Sequence, residues 1–161
     1  MIVLTGASGN LGSQVLKHLL KLVPPASIIV SYSNASSRPV HLEETGVHLR
    51  HGDFARPETL LTAFAGADSL LIVSYPGISH DTRVKMHRNA IDAAKSVGVK
   101  RVWYTSLAFG GDSKAAVMQA HLETEAYIKE SGLEWTIIRE GIYSHSFPLY
   151  LGTSHIHGCD D

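Results

Sequence analysis

A short apolar run, Met1 to Leu4, stops at the glycine turn Gly6-Ala7-Ser8-Gly9-Asn10-Leu11-Gly12, and an amphipathic segment begins at once and continues to Leu22. Strand, glycine turn and helix in that order constrain the chain more than any other feature, because the unit is the opening of a parallel α/β sheet. Gly6 lets the chain leave the strand abruptly, Gly9 lets a pyrophosphate approach the backbone without meeting a Cβ, and Gly12 lets the helix lie close to the sheet. The helix start offers unpaired N–H groups and a partial positive charge to an anion. The spacing Gly-x-x-Gly-x-x-Gly is one residue longer between its first two glycines than the Gly-x-Gly-x-x-Gly dinucleotide fingerprint. A glycine turn that needs no ligand is the alternative.

Hydrophobic periodicity extends the pattern. Leu11, Val15, Leu19 and Leu22 recur at helical spacing, widened by Leu16 and Leu20, and predict a helix that covers a sheet until Pro24-Pro25 ends it. Strands are predicted at Ser27 to Tyr32, Val47 to His51, Ser69 to Val73, Arg101 to Thr105 and Trp135 to Arg139. The run Ser69 to Val73 is continuously apolar from its second residue, the pattern of a strand buried on both faces. Helices are predicted after Pro57, from Asp81 to Val97, and from Lys114 to Glu130. In the second of these Val84, Ile91 and Ala94 face inward, with Lys85 and His87 among the polar positions; in the third the buried side is Met118, Leu122 and Ala126. Six alternating strand and helix units predict a Rossmann-type, doubly wound parallel sheet of six strands with helices on both faces. The domain spans residues 1–146, and 147–161 form an irregular C-terminal tail.

Ligands of such sheets lie beyond the carboxyl ends of the strands, so those ends supply the candidate residues. The end of the second strand carries no Asp or Glu for an adenosine ribose: Ser33 is neutral, and the nearest charge, Arg38, either meets a 2′-phosphate or is simply solvated. NADP is favoured over NAD on that ground, with NAD still open. Asp53 either hydrogen-bonds an adenine or shapes its turn and caps the following helix. Ser74-Tyr75-Pro76-Gly77 follows the fourth strand and belongs beside the cofactor. Ser106 ends the fifth strand, where chemistry would sit. His121 and Glu125 are four apart on one helix; the histidine is either a proton donor steadied by the acid, a hydrogen-bond donor to a cofactor, or an ordinary surface residue.

Composition excludes several partners. With 161 residues and a formal charge of −1, nothing in the bulk electrostatics points to nucleic acid or to a membrane surface. The single cysteine, Cys159, fits a reducing compartment, and no stretch has the length of a transmembrane helix, so a cytoplasmic protein is expected. In the tail, His155, His157 and Cys159 have a zinc-like composition but lack a fourth ligand, so no metal site is expected there.

Three blocks together resemble a known family: Met1 to Gly12, Arg88 to Ser106, and His121-Leu-Glu-Thr-Glu125 through Arg139-Glu-Gly-Ile-Tyr143. They are similar to the NmrA-like atypical short-chain dehydrogenases, with the type 2 NAD(P)H:quinone oxidoreductases the nearest likeness. The resemblance implies that Gly6, Ala7, Ser8, Gly9, Asn10 and Leu11 cradle the pyrophosphate and that Val73, Ser74, Tyr75 and Lys85 line the nicotinamide side. It also implies that His121 closes over the nicotinamide with Arg139, Glu140, Gly141, Ile142 and Tyr143. The family usually has an arginine where this chain has Ser33, and its members continue for roughly another hundred residues into a helical substrate-binding part.

Carbonyl-reducing members of the wider class pair a tyrosine with a lysine four residues on, to protonate an alkoxide. Here Tyr32, Tyr75, Tyr104, Tyr127, Tyr143 and Tyr150 are followed at that distance by Ser36, Ser79, Ala108, Ser131, Phe147 and Ser154. A quinone tolerates this lack, since its reduced anion takes a proton from solvent. The expected function is therefore hydride transfer from NAD(P)H to a quinone or related aromatic small molecule, with Ser106 and His121 as the candidate catalytic residues. The alternative is a non-catalytic NADP-binding redox sensor acting on a protein partner. Whether a second copy of the chain or another protein supplies the missing wall is left open by the sequence, as is a shortened product with no function of its own.

Overall fold

The computed structural model describes residues 1–77, 79–141 and 143. Its elements run β1 (Ile2–Thr5), α1 (Asn10–Leu22), β2 (Ile28–Tyr32), β3 (His48–His51), α2 (Pro57–Phe64), β4 (Ser69–Ile72), α3 (His80–Ser96), β5 (Arg101–Leu107), α4 (Ala116–Glu130) and β6 (Glu134–Glu140). All six strands are parallel and lie in the order β3-β2-β1-β4-β5-β6. That is the doubly wound order, and the chain reverses direction across the sheet between β1 and β4.

Alternation along the strands divides the interior into two layers. Val3, Ile29, Leu70, Ile72, Val102 and Tyr104 point to one face and pack against Leu60 and Phe64 of α2, Ile91 of α3 and Ile128 of α4. Leu4, Ile28 and Val30 point to the other and pack against Leu16 of α1. Each such side chain, fully buried, contributes about 1.5–3 kcal/mol over leaving it in water.

Four expectations are corrected. Strand and helix do not alternate between β2 and β3, where the crossover is made of 3₁₀ turns at Ala35–Ser37 and Val40–Thr45. Asn34 starts the first of these by accepting from Ser36 N at 2.9 Å, a side-chain bond that competes with helix formation. Leu22, at the last position of α1, is 79% exposed because the helix stripe has turned off the sheet by then. Only one face of β4 is fully buried: Leu70 and Ile72 are inaccessible, while Leu71 is half-buried on the side where α1 lies chiefly over β1 and β2.

The fourth correction bears on function. His87 is completely buried, and the inner face of α4 is Met118, His121, Thr124, Glu125 and Ile128, with Ala126 exposed. The helices α3 and α4 therefore present polar groups to each other and to the ends of β4 and β5.

Candidate dinucleotide site at the strand ends

The glycine turn sits at the reversal point, and its three glycines are required for different reasons. Gly6 has φ +68°, and a Cβ there would lie 3.0 Å from Val73 Cβ, so β1 and β4 meet at their carboxyl ends across a bare backbone. A Cβ on Gly12 would stand 2.0 Å from the Gly6 carbonyl oxygen, which forbids any side chain where α1 approaches the turn. Gly9 differs: its nearest obstacle would be the Gly6 carbonyl oxygen at 3.4 Å, an ordinary contact. The chain's own packing leaves room for a side chain at Gly9, and what the bare position keeps open is the approach to α1.

Gly9 is also the N-cap of α1. It supplies no side chain to accept from the first turn, and that turn holds no acidic residue. Gly9 N donates to Gly6 O at 3.0 Å and Ser13 N to Gly9 O at 2.9 Å, closing the turn. Ala7 is buried beneath it, whereas Ser8, Gly9 and Asn10 are exposed, with Leu11 partly so. The arrangement fits a pyrophosphate: among the described residues no N-cap side chain and no first-turn acid offsets the helix-end charge, and Gly9 puts bare, exposed backbone in front of it.

On the adenosine side the candidates are occupied locally. Arg38 Nη2 pairs with Glu43 at 2.7 Å, and His51 Nε2 lies 3.1 Å from the Ser33 carbonyl oxygen. Asp53 Oδ1 accepts from Ala55 N at 2.9 Å and Oδ2 from Arg56 Nε at 3.1 Å, so its carboxylate shapes the turn into α2.

Beyond β4 the loop 74–77 is tied down from outside its own sequence. Ser74 N donates to Thr105 Oγ1 at 3.0 Å and Tyr75 N to His87 Nε2 at 2.9 Å. Arg83 Nη1 donates to Gly77 O at 2.9 Å, and Nη2 to Ser74 Oγ at 2.6 Å. The partners fix the tautomer of His87: Nε2 accepts a backbone proton, so Nδ1 carries the hydrogen and donates to Thr124 Oγ1 at 2.9 Å. Burial, with the positive charge of Arg83 beside it, lowers His87 to about 3, and the ring is neutral.

His121 belongs to the same network. Arg83 Nη2 donates to His121 Nε2 at 3.0 Å, which leaves Nδ1 to donate to Tyr104 Oη at 2.8 Å. Burial and Arg83 lower His121 to about 4 against the opposing pull of Glu125. Burial pushes the Tyr104 phenol up to about 12. His121 is 6% exposed, so it is no surface histidine; it is a neutral residue held between an arginine and a phenol.

Glu125 turns to other partners. Ser106 Oγ donates to its Oε1 at 2.6 Å, and Arg139 grips the same carboxylate with Nε at 2.9 Å and Nη2 at 2.6 Å. Burial works to raise this carboxyl, but the bonds from Arg139 and Ser106 and the charges of Arg139 and Lys129 outweigh it and hold Glu125 ionised. Ser106 therefore spends its proton inside the fold. Farther along, Tyr143 donates to Glu140 Oε2 at 2.6 Å, and Gly141 between them is exposed.

The structure thus gathers Gly6 to Leu11, Val73 to Tyr75, Ser106 and Arg139 at one end of the sheet. Lys85 departs from the group: it is exposed on the outer side of α3 and lines a surface groove with Asp81, Arg88 and Glu123. The cation of α3 that reaches the loop is Arg83. Ile142, the tail 147–161 and its His155, His157 and Cys159 lie outside the described residues. Among the described residues no group of three or more His, Cys, Asp or Glu could hold a metal ion, and no helix is long and apolar enough to cross a membrane.

Arg83 and Thr124 carry no role in the sequence pattern, and His87, expected at a polar position, and Tyr104, which lacks a lysine four residues on, are both buried members of the network. One signal was present, since His87 stands at the helical spacing of the apolar positions Val84, Ile91 and Ala94.

Known proteins match this arrangement. The family pattern described as NAD(P)H-binding covers residues 6–146. The NmrA-like family domain-containing oxidoreductase flvB of Aspergillus flavus is 42% identical over 154 residues, covering 92% of this chain and 50% of that protein. Quinone oxidoreductase 2 of Escherichia coli is 35% identical over 147 residues, covering 91% of this chain and 50% of that protein. Among solved structures, the Citrobacter sp. triphenylmethane reductase complexed with NADP(H) superposes with a TM-score of 0.87 at 38% identity, over 91% of this chain and 51% of that one. The chain spans about half the length of these relatives.

Proposed function

Since the chain belongs to the NAD(P)H-binding, NmrA-like family, we propose that it is the cofactor-binding part of an NAD(P)H-dependent oxidoreductase that passes hydride to a quinone or a related flat aromatic acceptor. One observation carries the reading: the uncapped start of α1 behind Gly9, at the point where β1 and β4 meet, is open although the chain's own packing does not require it.

The residues divide the work. Gly6 to Leu11 bind the pyrophosphate through backbone N–H groups. Val73, Ser74 and Tyr75 form the wall beyond β4, and the Ser106–Glu125–Arg139 bonds fix the ends of β5 and β6 to α4. When bound, the reduced nicotinamide supplies a hydride.

Neither candidate catalytic residue is set to donate a proton to a substrate. His121 is neutral and bonded at both nitrogens, Ser106 gives its hydrogen to Glu125, and no tyrosine has a lysine four residues on. An acceptor that needs protonation as it is reduced would be handled poorly. A quinone gains two electrons and one proton as hydride, and its hydroquinone anion collects the second proton from water. The names of the Escherichia coli and Citrobacter relatives, quinone and triphenylmethane reductases, support acceptors of this kind.

The inward commitment of His121 and Ser106 also favours a second reading, in which the chain binds NADP(H) and reports its redox state to a partner without turnover. Steady-state consumption of NADPH with a simple benzoquinone separates the two. Turnover supports the oxidoreductase; saturable NADPH binding with no consumption overturns it.

A further inference from the structure

The turn after β5 carries an aromatic side chain that the fold does not use. Phe109 is 96% exposed, the most exposed large apolar side chain among the described residues. Its backbone lies in the left-handed region, with φ +65°, and no other residue besides glycine does so among the described residues. Both features are unfavourable: a ring left in water gains nothing from burial, and a bulky side chain at positive φ crowds its own backbone.

The neighbours show why the chain must turn at this point. Ala108 N donates to Glu140 O at 2.8 Å, which ties the start of the loop to the end of β6. Gly110 is buried, and a Cβ there would run into the buried Met118 side chain, so the following residue is pressed against α4. A left-handed residue between two such anchors would be glycine or asparagine if the turn alone decided it. Phenylalanine is there at a cost to the fold, and strain of that kind marks a residue with another use. Its place narrows the use. The loop leaves the carboxyl end of β5, the strand next to β4, and ligands of such sheets lie beyond those ends.

We propose that Phe109 is the face against which the flat aromatic acceptor stacks. The inference rests on the oxidoreductase reading above and deepens it by naming the side chain of this protein that meets the acceptor and favours a flat ring over other shapes. A ring already standing in water gives up no contact of the fold when a second ring covers it.

The test titrates menadione, a two-ring quinone, into the full chain saturated with NADP⁺, so that no turnover intervenes, and titrates NADPH separately. Phe109→Gly is expected to weaken menadione about tenfold while leaving NADPH within about twofold. Phe109→Tyr keeps a ring and is expected to hold menadione within about twofold of the unaltered chain. Because glycine relieves the left-handed backbone, Phe109→Gly should melt no lower than the unaltered chain, which separates loss of stacking from loss of structure. Unchanged menadione binding in Phe109→Gly would overturn the proposal while leaving the oxidoreductase reading intact. Equal loss of menadione and NADPH, or a lower melting temperature, would overturn it by showing a structural role. If the unaltered chain binds NADPH and not menadione, the quinone reading and this inference fall together.

Discussion

Arg83 Nη2 lies 3.0 Å from His121 Nε2, and since a guanidinium has only hydrogens to give, the histidine is the acceptor and stays uncharged. The same logic holds for His87, which accepts from the Tyr75 amide. Two neutral histidines beside one buried cation tie the strand ends to α3 and α4.

The pH dependence follows from these two rings. Their folded values, about 3 for His87 and about 4 for His121, lie below the ordinary 6.5. Below pH 6.5 the unfolded chain therefore binds more protons than the folded one, and stability falls as pH falls toward those values. Each ring contributes a slope approaching 1.4 kcal/mol per pH unit, so between pH 6.5 and pH 5 the loss is on the order of 3–4 kcal/mol. Urea denaturation at pH 7, 6 and 5 checks this, and His87→Gln should remove roughly half of the slope. A flat profile would contradict the neutral assignment.

Glu125 and Arg139 should respond unequally to mutation. The carboxylate is buried and the guanidinium is half exposed. Arg139→Ala leaves the buried carboxylate with Ser106 as its hydrogen-bond donor and Lys129, 3.8 Å away, as its remaining cation, and is expected to cost about 2 kcal/mol. Glu125→Gln leaves an arginine that can turn to water, and is expected to cost about 1 kcal/mol. Equal costs in denaturant titrations would show that the buried carboxylate is not the sensitive member.

Cofactor choice should be loose. Ser33 offers no charge, and Arg38 is already paired with Glu43. The ratio of NADPH to NADH affinity is expected to be small and to rise about tenfold in Ser33→Arg, which places a charged donor at the end of β2. Fluorescence titration with both cofactors measures it; a large ratio in the unaltered chain would show that Arg38 exchanges Glu43 for the phosphate.

Most of the fold was legible because it depends on short-range patterns. The turn at Gly6 to Gly12 announces strand then helix, and apolar spacing places the other strands and helices within a few residues. The buried polar network was not legible, for a physical reason. Polarity alone turns His121, Thr124 and Glu125 outward, and does so for His87 despite its apolar spacing, whereas each is buried because a partner on another element satisfies it. Those partners stand up to 38 residues away, beyond any local pattern. Lys85 and Arg83 illustrate the point: both are cations on α3, and only the packed helix shows which one faces the loop.

The central claim, that the bare Gly9 serves a dinucleotide and not the fold, is tested most directly by melting the unaltered chain and Gly9→Ala with and without NADPH. A Cβ at Gly9 meets nothing closer than 3.4 Å, so the variant should lose at most about 1 kcal/mol of stability through its weaker N-cap. NADPH is expected to raise the melting temperature of the unaltered chain and to leave that of Gly9→Ala where it was. An equal rise in both, or none in the unaltered chain, would contradict the account.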